Sequence, residues 1–139
     1  MRSNVILNNF SFLSTDSKIR IFNTNCSTFY GSVLLNQTAN SLKGVDVAWR
    51  KSCRKLLQLP QRTHCSFIPY IMGTLPPSQQ IKTRTVNFFR KGLNHSSEFI
   101  RFIFNNCLNE ASSVLYKNIN QISKDTNISL SDLFKKRET

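Results

Sequence analysis

The chain has 139 residues, 40% of them hydrophobic and 11 of them phenylalanine, with 19 Lys+Arg against 7 Asp+Glu for a formal charge of +12. That apolar content supplies a packed core and excludes wholesale disorder, and the length fits one domain or one piece of a larger one. The charge excess bears on partners and not on fold. It points to phosphate-bearing polymers, because each Lys or Arg that neutralises a phosphate also releases condensed counterions; an anionic membrane surface is the competing candidate.

No window approaches the roughly 20 apolar residues of a membrane span. After Arg2 the apolar residues are interrupted by Asn4, Asn8 and Asn9, which leaves no signal-peptide core. The expectation is an intracellular protein of the nucleus or cytoplasm, neither secreted nor bound to membrane. The four cysteines, at 26, 53, 65 and 107, contain no Cys-x-x-Cys pair and fit neither a zinc module nor a disulfide framework. They read as reduced, buried thiols.

Residues 1–15 are polar and irregular and are expected to be poorly ordered. From Asp16, read as an N-cap, Ile19, Phe22, Cys26, Phe29, Tyr30, Val33 and Leu34 recur at steps of three and four and predict a helix over about 17–35. Gly31 inside it is read as a close-packing position. The polar stretch 36–44 is a loop or a weaker continuation of helix. A second helix is predicted over about 45–59, ended by Pro60. On it Val45, Trp49, Cys53, Leu56 and Leu57 share one arc, while Arg50, Lys51, Arg54 and Lys55 share the opposite one.

A short helix follows over Thr63 to Met72, then the breaker Gly73-Thr-Leu-Pro-Pro77, then a helix over about 78–92 with Gly92 as its C-cap. The stretch 97–121, capped at Ser96 or Ser97, carries a wide apolar stripe from Phe99 to Ile119 and reads as the central helix of a bundle. A last helix is expected over about 130–136, with Ser129 and Asp132 in capping-box spacing before the basic tail Lys135-Lys136-Arg137. No strand alternation or internal repeat stands out. The expected architecture is all-α, a small bundle of about five helices without a sheet. It divides into an irregular N-terminus (1–15), a helical module (16–122) and a short C-terminal helix with its tail (123–139).

Catalytic groupings are lacking. The seven acids (Asp16, Asp46, Glu98, Glu110, Asp125, Asp132, Glu138) are scattered, with no carboxylate pair to share a metal, and the glycines at 31, 44, 73 and 92 form no phosphate-binding loop. No cofactor and no small-molecule substrate are indicated. His64 and Cys65 are adjacent, so on a helix they diverge by about 100°. Two further ligands, such as Cys53 and His95, would be needed for a metal. His64 is read as a hydrogen-bonding turn residue, and Cys65 and Trp49 as core.

The basic face carries more. From Lys43 to Lys91 there are ten Lys+Arg and one acid, Asp46. A solvated helix face ordinarily mixes signs to gain i,i+4 pairs worth a few tenths of a kcal/mol each. Here Arg50/Arg54 and Lys51/Lys55 are like-charged neighbours. Tolerance of that repulsion points to an anionic partner.

The stretches IFNTNCSTFYGSVLL, AWRKSCRKLLQLPQRTHCSFIPYI and TRTVNFFRKGLNHSS together resemble the C-terminal end of reverse transcriptases of non-LTR retrotransposons of the jockey-like group. The carriers are Phe22, Cys26, Tyr30 and Gly31; Ala48, Trp49, Arg50, Lys51 and Arg54; Leu59, Pro60, Thr63 and His64; and Arg84, Phe88 and Asn94, spanning about residues 10–110. The resemblance implies that the first long helix belongs to a polymerase thumb and the rest to the region after it, which grips a template–primer duplex by its backbone. Two departures stand out: Leu35 lies where that family often has Trp, and the fingers and palm, with their metal-binding aspartates, are not in this sequence.

The expected function is that of a truncated C-terminal fragment of an RNA-directed DNA polymerase, a transposable-element product that is non-catalytic alone. It would bind nucleic acid, as template–primer duplex or RNA, through phosphates and without sequence specificity. The contacts would be Arg50, Lys51, Arg54 and Lys55, helped by Arg62 and Arg84. A basic helical protein–protein adaptor, or a relic without selected function, are the alternatives.

Overall fold

In the computed structural model, which describes residues 9–26 and 28–134, every regular element is helical and no strand occurs among the described residues. Among the described residues the α-helices are, in order, α1 Thr15–Cys26, α2 Ala39–Leu56, α3 Phe67–Met72, α4 Pro77–Leu93, α5 Glu98–Asn109, α6 Val114–Thr126 and α7 Leu130–Phe134, with a 3₁₀ turn at Ser32–Leu34. The all-α expectation holds. The chain divides into two compact units, one of residues 1–30 and 39–80, the other of 31–38 and 81–139.

The first unit packs α1, α2 and α3 around Phe22, Trp49, Cys53, Leu56, Ile68 and Met72, with Phe10, Ile19, Ile21, Cys26 and Leu57 against them. Trp49, Cys53 and Leu56 lie at i, i+4 and i+7 of α2, so the apolar arc read from the sequence is the buried one. Each such side chain taken from water contributes about 1.5–3 kcal/mol. Within the expected irregular stretch 1–15, residues 1–8 lie outside the described ones, while Phe10 is packed against this core. The cap of α1 is Ser14, not Asp16: the Ser17 N–H points at Ser14 Oγ at 3.4 Å, and Asp16 sits in the first turn, where the helix dipole favours it.

That first helix is shorter than its apolar spacing implies, ending at Cys26 instead of continuing to 35. Phe29 and Gly31 have φ of 41° and 75°, values that no α-helix contains, and Tyr30 is fully exposed. Gly31 is thus a turn residue, and a Cβ built on it meets nothing within 4 Å. The close-packing role belongs to Gly92, which was expected as a C-cap. It lies inside α4, and a Cβ there would collide with the Phe104 ring.

α2 starts at Ala39, so most of the ambiguous stretch 36–44 is helix. Its end is a Schellman turn placed before Pro60: Leu59 N–H donates to Arg54 O at 2.9 Å and Gln58 N–H to Lys55 O at 3.2 Å, with Gln58 left-handed at φ 53°. The helix predicted over Thr63 to Met72 is confined to α3, preceded by turns. α4 begins with Pro77 as its first residue, where the missing N–H costs nothing. Asp46 of α2 caps it, accepting from Ser78 N–H at 2.9 Å and Ser78 Oγ at 2.7 Å.

In the second unit the buried residues include Ile81, Thr85, Phe89, Asn118, Ile119 and Ile122. The Phe104 ring packs on Phe88 and Phe89 with centroids 5.2 and 5.5 Å away, and Phe134 of α7 lies 6.0 Å from Phe89. A buried polar knot ties in the segment 31–38. Gln37 N–H donates to Asn118 Oδ1 at 2.9 Å, Gln37 Nε2 donates to Thr85 Oγ1 at 2.8 Å, and Asn118 Nδ2 donates to Leu35 O at 2.8 Å. The last helix has the expected cap, with Asp132 N–H donating to Ser129 Oγ at 3.2 Å.

The long central helix expected over 97–121 is two helices, α5 and α6, separated at Glu110–Ser113. Nor is α5 central: none of its residues is buried, and Phe99 and Phe102 are 70% and 61% exposed.

The two helical glycines are expected to respond oppositely to alanine. Gly92→Ala overpacks against Phe104 and should lower stability by about 1–3 kcal/mol. Gly44→Ala, inside α2 with open space around its Cβ, should raise it by about 0.5–1 kcal/mol. Urea denaturation midpoints of the two variants check this.

Candidate nucleic-acid interface

The last turns of α2 present four cations in the order Arg50, Lys51, Arg54, Lys55, and the loop after it adds Arg62. The structure sorts these five into two kinds. Lys51, Lys55 and Arg62 are exposed, while Arg50 and Arg54 are half-buried and already engaged.

Arg54 Nη2 donates to Thr63 O at 3.0 Å and to Cys65 Sγ at 3.3 Å. The guanidinium therefore bridges from α2 to the chain that returns after Pro60. Both contacts come from the one nitrogen, whose two N–H groups lie in the guanidinium plane. Arg50 lies 3.9 Å from the Asp46 carboxylate and also borders Cys65. Asp46, the one acid between residues 39 and 80, is turned toward Ser78 and Arg50. The exposed cations Lys51, Lys55 and Arg62 thus keep their charge for solvent or a partner.

Arg84 is an exposed residue of the part of α4 that belongs to the second unit. Of the six residues predicted for phosphate contact, five belong to the first unit, four of them on one face of α2.

Cys65 departs from its expected core role. It is exposed, and hydrogen bonds from Arg50 and Arg54 hold its thiol below the ordinary range. Positive charge next to sulfur favours the thiolate. Cys53, on the buried side of the same helix, is the opposite case: burial pushes its thiol up to about 12, against a smaller lowering from Arg54. Cys26 and Cys107 are half-buried, so the reading of four buried thiols holds for Cys53 alone. His64 fulfils its expected role in the turn, with Nδ1 2.7 Å from Ser66 Oγ. Among the described residues no group of three or more His, Cys, Asp or Glu is placed to hold a metal.

Beside the cations lies an open cleft of about 640 Å³, lined by Lys51, Arg54, Lys55, Gln58, Leu59 and Gln61. Sequence reasoning missed Gln58 and Gln61, which have no charge and no periodic signal. The helix expected over about 45–59 included Gln58, so only Gln61, beyond Pro60, fell in an expected turn; the helix in fact ends at Leu56. A second cleft, of about 300 Å³, lies in the second unit and includes Lys82 and Arg90. Of these two cations Lys82 is ion-paired. Lys82 Nζ sits 2.6 Å from Asp125 Oδ2, and the hydrogen bond holds that carboxyl below its usual range, while Arg90 donates to Leu133 O at 2.9 Å. The first cleft has two exposed lysines, Lys51 and Lys55, whereas in the second Lys82 is held by Asp125 and Arg90 is half-buried.

The contrast between the thiols gives a direct check on this electrostatic environment. At pH 7 a lowered thiol is more ionised and a raised one almost wholly protonated, and the thiolate is the form that reacts. Iodoacetamide should alkylate Cys65 well before Cys53, with the Cys65 rate reaching its plateau at lower pH than free cysteine. Arg54→Gln should slow Cys65 at neutral pH, as followed by peptide mass spectrometry.

The chain matches no protein-family model, no curated protein and no solved structure.

Proposed function

We propose that the first unit is a nucleic-acid backbone-binding module, and that the chain is the thumb and post-thumb piece of a retrotransposon reverse transcriptase, non-catalytic in itself. The observation that carries the binding reading is the exposed set Lys51, Lys55 and Arg62, whereas Asp46, the one acid between residues 39 and 80, is engaged by Ser78 and Arg50. Phosphates are the fitting counter-charge. They are presented in regular rows along a strand, and contacts to them carry no sequence information.

The resemblance of the stretch 48–71 to the region that follows the thumb supports the wider assignment, with Arg50, Lys51, Arg54 and Lys55 on one face of α2. In this reading Arg54 and Arg50 shape the surface, and Lys51, Lys55, Arg62 and Arg84 meet phosphates. Catalysis is assigned to none of these residues. The adaptor reading, in which the same face meets an acidic protein, predicts the same loss on charge removal but not the same dependence on salt and polymer.

Affinity for a B-form duplex should fall linearly on a log–log plot against salt, with a slope near −0.9 for each phosphate neutralised. The variant Lys51→Gln/Lys55→Gln/Arg62→Gln should flatten that slope by about 2–3 while leaving the helical circular dichroism unchanged. These three are chosen because Arg50 and Arg54 also hold the loop. Fluorescence anisotropy with duplexes of two unrelated sequences checks both the slope and the indifference to sequence. An unchanged slope in the triple variant removes this face from the binding surface.

A further inference from the structure

The cleft at the end of α2 is larger than a phosphate contact requires. Its volume of about 640 Å³ lies in the range of small-molecule sites, about 300–1,000 Å³. Its walls are of two chemistries. Lys51, Arg54 and Lys55 supply positive charge from the last turns of α2, while Gln58 and Gln61 supply carboxamides and Leu59 an apolar surface from the segment that follows. A carboxamide both donates and accepts, so it can pair with a base edge or a sugar hydroxyl. We propose that this cleft accommodates a single nucleotide, its phosphate on Lys51 and Lys55, beside the Arg54 that shapes the wall, and its base or sugar against Leu59 and the carboxamides of Gln58 and Gln61.

Gln58 is the telling residue. It occupies the left-handed position of the Schellman turn at φ 53°, where a side chain costs about 1–2 kcal/mol that glycine avoids. The turn after α3 uses Gly73 for the same purpose, at φ 62°. Gln58 is exposed, so core packing does not repay the cost. Backbone strain without a packing return marks a position whose side chain serves a site. The site lies at a helix C-terminus, whose partial charge of about −0.5 opposes an anion. Three full positive charges on the same wall outweigh it.

This inference rests on the phosphate-binding reading above and goes further. A base within reach of Gln58 and Gln61 must be unstacked, so the occupant belongs to a single-stranded segment or a strand end and not to the interior of a duplex. Charge alone would bind inorganic phosphate about as well as a nucleotide; a nucleotide cleft does not.

The test is calorimetric titration of the full chain with AMP, adenosine and inorganic phosphate at low salt. AMP should bind at least tenfold more tightly than either of the others. Gln58→Gly removes the carboxamide and relieves the left-handed strain, so its melting temperature should rise while the AMP-to-phosphate preference falls severalfold; Gln61→Ala should also reduce that preference. Lys51→Gln/Lys55→Gln should weaken AMP and phosphate together. AMP binding no tighter than phosphate, or an unchanged preference in the more stable Gln58→Gly protein, overturns the inference. Duplex affinity measured on the same samples separates the two readings. Salt-dependent duplex binding without AMP preference sinks the nucleotide cleft alone, whereas AMP preference without duplex binding sinks the duplex-backbone reading alone.

Discussion

The Arg54 guanidinium is the contact on which the functional surface depends. With one nitrogen it holds the Thr63 carbonyl and the Cys65 sulfur, and so fixes the returning chain against the end of α2. The arrangement has a cost: Nε is buried with no hydrogen-bond partner among the described residues, about 1–3 kcal/mol for an ordinary buried donor. Without this bridge the loop carrying Gln61 and Arg62 has little to set its position relative to Lys51 and Lys55. The residue most easily counted as a free positive charge is therefore the one that organises the others.

The same division between organising and presenting charge runs through the site. Asp46 could have neutralised its helix neighbours by i,i+4 pairing, yet both its oxygens go to Ser78, and Arg50 approaches only to 3.9 Å. Lys51 and Lys55, five and nine residues further along α2, have no acid at i,i+3 or i,i+4 to face them. In the second unit a different logic operates. There the segment 31–38 is held by the buried Gln37, Thr85 and Asn118: Gln37 donates through its N–H and Nε2 to the other two, while its Oε1 has no partner among the described residues. Breaking one of these bonds would leave a further buried group unpaired at a cost of about 1–3 kcal/mol, and that cost fixes the segment in place.

How much was legible in the sequence follows from what kind of signal each feature leaves. The two arcs of α2 were readable because Trp49, Cys53 and Leu56 recur at helical steps and the cations fall between them. The end of α1 was not, because Phe29, Tyr30, Val33 and Leu34 continue an apolar spacing that a chain reversal at Phe29 and Gly31 cuts short. Spacing reports what a helix would bury if it continued; it does not report the turn. Gly31 and Gly92 exchanged their expected roles for a related reason: whether a glycine serves its backbone or a neighbour depends on a tertiary partner, here Phe104, that adjacent residues do not name. Cys65 looked like core by composition, and only its tertiary proximity to Arg50 and Arg54 makes it an exposed, readily ionised thiol. The apolar stripe over 97–121 was real, but its division at Glu110–Ser113 and the exposure of Phe99 and Phe102 show that apolar content alone does not make a helix central.

The central claim is that the exposed cations at the end of α2 and in the following loop are where this chain meets phosphate. The most direct measurement is a backbone amide NMR titration of the full chain with a short DNA duplex at low ionic strength. The account predicts that the largest shift changes lie within residues 50–65 and that they are reversed by added salt. Changes concentrated on α5, around Phe99 and Phe102, with residues 50–65 unmoved, would contradict it.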